Sequence, residues 1–66
     1  MIEQLITSDE ILAMVSVVYE DKQRYEMQGK YIEPAFWDAL VELVQRGDIL
    51  ALYDDATGDV VYTNAQ

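Results

Sequence analysis

Apolar positions recur at three- and four-residue steps through the first third of the chain. Ile11, Met14, Val15, Val18, Lys22 and Tyr25 fall on one line, the spacing of a single helix face. The start of this helix is marked by Thr7 and Glu10, which fit a capping box in which each side chain satisfies the other residue's free N–H. Ile6 and Ile11 stand at the positions of a hydrophobic staple across that cap, and Asp9 and Glu10 suit the positive end of the helix dipole. Val15, Val17 and Val18 are stiff β-branched residues, so packing must help to hold the segment helical. Polar residues take over from Glu20 to Gln28, and Gly29 is a natural stop. A second periodic stretch begins at Pro34, whose missing N–H costs nothing at a first helical position. Phe36, Trp37, Leu40, Val41, Leu43 and Val44 form a wide apolar stripe; Arg46 is placed in the last turn and Gly47 just past it.

The period then changes. Ile49 to Tyr53 and Val60 to Thr63 are short aliphatic and aromatic runs that read as strands. Asp54-Asp55-Ala56-Thr57-Gly58-Asp59 between them reads as a hairpin turn closed by a glycine at positive φ. The pattern predicts an α+β domain: helices over about 8–28 and 34–46, then a hairpin with strands 49–53 and 60–63 that covers them.

Length and composition sharpen this picture. Sixty-six residues make one domain, and a chain this short buries only about 60% of the surface its unfolded form exposes. There is no Cys and no His, so disulfides, thiolate chemistry and the common zinc sites are absent together. With 52% apolar residues the chain can fill a small core, and the remaining support is expected from association, including a homodimer at micromolar concentration.

Charge narrows the partners. Thirteen carboxylates face four cations (Lys22, Arg24, Lys30 and Arg46), a formal charge of −9. No basic stripe exists to neutralise phosphates, so direct nucleic-acid binding and docking on an anionic membrane are both disfavoured. A basic protein surface is the favoured partner, because complementary fields speed association; the same charge also serves solubility. Met1 to Thr7 has no basic region and no long apolar core, and no apolar run is long enough to span a bilayer. Cytoplasmic residence is the expectation.

Catalysis has little to work with. Neither the usual general base nor a thiol nucleophile is present, and Ser8 and Ser16 have no candidate base. Gly29, Gly47 and Gly58 lie too far apart for a phosphate loop. A non-enzymatic protein without a cofactor is expected. The hairpin acids could offer oxygens to calcium, but their spacing does not follow an EF-hand loop, and such residues are normal in turns.

Candidate contact residues come from charge and from aromatic supply. Glu20, Asp21, Asp54, Asp55 and Asp59 are expected to present charge to the partner. Asp54 and Asp59 are placed across the hairpin from one another, where their repulsion would be relieved by a partner's cation. The chain has five Tyr, one Trp and one Phe. Tyr19, Tyr25 and Tyr31 are six apart and cannot share one helical face, so some of them point outward. Tyr25 and Tyr31, in polar surroundings, are the expected anchors, with at least one of Phe36 and Trp37 in the core.

Two resemblances bear on function. Leu40 to Gly47, then Ile49 to Tyr53, then Asp55-Ala56-Thr57-Gly58 resemble the second half of a winged-helix domain, in which a helix ending in glycine leads to a strand and a wing. The likeness covers Pro34 to Thr63. It departs from the DNA-reading members in having Glu33, Asp38 and Glu42 on the helix and acids at the wing, so what it implies is an acidic regulator working through protein contacts. In size and charge alone the chain is similar to small acidic proteins of phages and other mobile elements, some of which occupy the nucleic-acid groove of a host protein. The expected function is a protein–protein interaction module that blocks or modulates a basic partner, with a dimerising subunit of a larger assembly as the alternative.

Overall fold

The computed structural model describes residues 6–65. The stretch Met1 to Leu5, read above for a leader, lies outside the described residues. Helix α1 runs Ser8–Met27, helix α2 Pro34–Gln45, strand β1 Ile49–Tyr53 and strand β2 Val60–Asn64. This is the α+β order that the periodicity predicts.

Each boundary has a local chemical cause. At the start of α1 the Thr7 side chain accepts from the Glu10 N–H at 3.2 Å, and the Glu10 carboxylate accepts from the Thr7 N–H at 3.3 Å, a complete capping box. Ile6 and Ile11, the two staple positions, both pack against the core. At the end of α2 the N–H of Gly47 donates to Val44 and that of Asp48 to Leu43, each at 3.0 Å, which satisfies carbonyls the helix leaves free. That reversal needs φ +79° at Gly47, open to glycine without penalty. The same paired bonds close α1, from Gly29 to Glu26 and from Lys30 to Tyr25. Arg46 falls one residue beyond α2 and not in its last turn; its guanidinium lies 3.3 Å from the Asp48 carboxylate.

The hairpin turn is held by its own side chains. Asp54 and Asp59 close it through a 2.7 Å backbone bond, the Asp54 carboxylate accepts from the Ala56 N–H, and the Thr57 hydroxyl accepts from Asp59. Gly58 takes φ +76°. The strands pair antiparallel with Ala51 opposite Tyr62 and Leu52 opposite Val61. By strand alternation Ile49, Ala51, Tyr53, Val60 and Tyr62 share one face, while Leu50, Leu52, Val61 and Thr63 share the other.

The core is Met14 and Val18 of α1, Trp37, Leu40, Val41 and Val44 of α2, and Ala51 of β1. Val18 and Val44 are completely buried. Trp37 is covered as well, whereas Phe36 beside it is half exposed and meets the indole edge at 5.3 Å. Among the described residues no helix is long and apolar enough to cross a membrane.

Candidate functional site

The expected contact residues fall into two groups, those the fold uses internally and those it leaves free. Asp21 belongs to the first. It is 4% exposed, faces the hairpin from α1, accepts a 2.8 Å hydrogen bond from the Tyr62 hydroxyl and lies 3.8 Å from the Arg24 guanidinium. The expectation that Asp21 presents its charge outward is therefore corrected. A carboxylate on the buried side of α1 needs partners there, and both are supplied from within the chain. Glu20, one position round the helix, remains exposed and accepts at 2.7 Å from the Tyr53 hydroxyl.

Asp59 is taken by Arg24, whose Nη2 donates to it at 2.8 Å. The cation that relieves the Asp54–Asp59 repulsion is thus Arg24 of the same chain. Asp54 spends one oxygen on the turn. Tyr25 is also corrected as an outward anchor: it is half buried, meets Trp37 edge-on at 5.5 Å and carries Lys30 over its other side at 5.6 Å. Its face looked polar in sequence because Gln23, Arg24 and Glu26 surround it, although its position repeats the Val18 phase of α1. Tyr31 and Asp55 remain free and exposed, Tyr31 at 79%.

These contacts make a polar clasp between α1 and the hairpin, with Glu20 on Tyr53, Asp21 on Tyr62 and Arg24 on Asp59. The hydrogen bond to Glu20 raises the Tyr53 pKa above its usual value. Tyr62 is raised further, by burial first and then by its bond to Asp21. Beside the clasp lies a polar hollow of about 280 Å³ bordered by Asp21, Arg24, Gln28, Lys30 and Asp59.

Two other surfaces were not singled out in the sequence. The first is a mostly apolar groove of about 480 Å³ between the start of α1 and β1, lined by Ile6, Ala13, Met14, Leu50 and Leu52. It runs onto the outer sheet face, where Leu52 and Val61 stand opposite one another and exposed. The second is the outward side of α2. Ala35, Phe36, Asp38, Ala39 and Glu42 are all exposed, and Leu43 is half buried. Asp38 and Glu42 are four apart on one helix row and neither has an ion-pair partner among the described residues; like charges so spaced destabilise a helix by about 0.2–0.5 kcal/mol. The signal was present in the sequence: Ala35 and Ala39 stand four apart, outside the apolar stripe, and Leu43, four further on, belongs to that stripe but only to its edge, since the buried members are Trp37, Leu40, Val41 and Val44.

Among the described residues no group of three or more His, Cys, Asp or Glu is arranged to hold a metal ion. The chain matches no known protein family, no curated protein and no solved structure.

Proposed function

We propose that this chain is a non-enzymatic protein-interaction module that engages a basic surface of another protein and masks it. The observation that carries the reading is where the charge remains after the fold has taken its share. Asp21, Asp48 and Asp59 are matched by Arg24 and Arg46, which occupies both arginines. Asp9, Glu26, Glu33, Asp38, Glu42 and Asp55 stay exposed with no ion-pair partner among the described residues. Against them stand only Lys22 and Lys30. Such a surface steers a cationic partner inward and repels nucleic acid. In a cell, a partner whose own task is to bind nucleic acid would be blocked by it, the mode expected of a small acidic inhibitor of mobile-element type.

The test is affinity capture from a lysate with two baits, the parent chain and one carrying Asp38→Lys, Glu42→Lys and Asp55→Lys. These three positions are exposed and have no ion-pair partner among the described residues, so the fold is expected to survive their reversal. The parent is expected to recover a set enriched in basic proteins that the reversed bait loses. Equal recovery by both would overturn the reading.

The apolar groove beside β1 favours a second reading, in which the chain pairs with a copy of itself as a structural subunit. Light scattering across a dilution series checks it: a dimer that dissociates at micromolar concentration supports this reading, and a 7.6 kDa monomer throughout removes it.

A further inference from the structure

We infer that the outward side of α2 is the docking face, and that its occupant is a basic amphipathic helix of the partner; this rests on the acidic-module reading above. Helix α2 has two apolar sides. Trp37, Leu40, Val41 and Val44 fill the core, while Ala35 and Ala39 face away from it, with half-exposed Phe36 and half-buried Leu43 along their flank. The outward set repeats at three and four residues over nine positions, whose eight steps span about 12 Å of helix at 1.5 Å per residue, or a little over two turns. One helix laid alongside covers that length.

The side chains define the fit. Ala35 at the start of the row and Ala39 at its middle are small and exposed, so another helix backbone can come to the near end of the 8–10 Å range for packed helices. Phe36 stands 51% exposed at one end, an aromatic that a partner's apolar residues would bury. Asp38 and Glu42 form a parallel row along one edge, with no ion-pair partner among the described residues. The matching surface is a helix with aliphatic residues at every third or fourth position and Lys or Arg along the flank that meets those acids. A second copy of α2 fits poorly. Antiparallel two-fold pairing of this face would bring the Asp38 and Glu42 row near its equivalent, and either two-fold arrangement joins chains that each carry −9.

Two probes separate this inference from the reading beneath it. One is a synthetic helical peptide of Leu, Ala and Lys with a single apolar stripe edged by lysines; the other is oligolysine of equal charge. Each is titrated into the isotope-labelled chain while backbone amide resonances are followed. The helical peptide should shift Ala35, Phe36, Asp38, Ala39, Glu42 and Leu43 most, and bind at least about tenfold more tightly than oligolysine. Phe36→Ala should erase that preference, and Asp38→Lys with Glu42→Lys should weaken both probes while circular dichroism stays unchanged. Shifts centred on the hairpin tip, or equal affinity for the two probes, would overturn the α2 assignment and leave the acidic module standing. If neither probe bound at low salt, the module reading itself would fall. Mapping on the unaltered chain decides the question even where a variant misfolds.

Discussion

Of the three clasp contacts between α1 and the hairpin, the one from the Tyr62 hydroxyl to the Asp21 carboxylate is the most buried. The carboxylate is buried against the hairpin, and its hydrogen bond to the tyrosine is one to a charged group, a class that contributes about 1.5–3 kcal/mol. Tyr62→Phe should therefore lower the unfolding free energy by about that amount in denaturant titrations, because Asp21 keeps its burial and loses its donor. Alkaline pH should act on the same contact. Tyr62 and Tyr53 have folded pKa values raised above the unfolded value of about 10, so the protonated hydroxyls stabilise the fold below about pH 10. That contribution is lost as pH rises from there through the higher folded values, since the unfolded chain releases these protons first. Tyrosinate absorbance should show two of the five tyrosines titrating late; a single transition near pH 10 for all five would contradict the clasp.

At the scale of elements, the hairpin was readable because its turn chemistry is local. Asp54, Thr57 and Gly58 are placed by bonds to neighbours two to five residues away, and such bonds leave a trace in sequence. Gly58→Val should cost well over 1 kcal/mol. An added Cβ meets nothing within 4 Å there, so the cost is the backbone strain of φ +76° and not a clash. Gly58→Asn should be milder, because Asn tolerates this region; equal losses for the two would point to some other cause. The helix ends were legible for the same reason, from Thr7 and Glu10 at one and Gly47 at another. What sequence could not supply was the angle at which the hairpin meets α1. Glu20, Asp21 and Arg24 find Tyr53, Tyr62 and Asp59 across separations of 33 to 41 residues, and nothing in local spacing announces those pairs. Their consequence is practical: reversing Asp54, Asp55 and Asp59 together would break the Arg24 pair and the turn cap as well as the surface charge. Of the three, Asp55 alone reports on charge without disturbing a contact.

For the whole molecule, the helix–helix–hairpin order came from periodicity, while the distribution of charge came only from the packed fold. A net charge says nothing about which acids are already matched. Once Arg24 and Arg46 are assigned, the free carboxylates lie mainly on α2 and at the ends of α1, and the hairpin tip is the less available acid cluster. The winged-helix likeness of Pro34 to Thr63 matches the order of pieces found, a helix closed by Gly47, a strand and a glycine-closed turn, but no solved structure extends it into shared architecture. The central claim is that unpaired surface charge drives binding to a basic partner. Its most direct test is the affinity of the chain for labelled oligolysine, measured by fluorescence anisotropy between about 0.05 and 0.5 M salt, across which the screening length falls from above 10 Å to well below it. Clear binding is expected at the low end, with a steep and steady loss of affinity with salt, and a much shallower dependence after Asp38→Lys and Glu42→Lys. Affinity that is absent at low salt, or that stays level across the series, would contradict it.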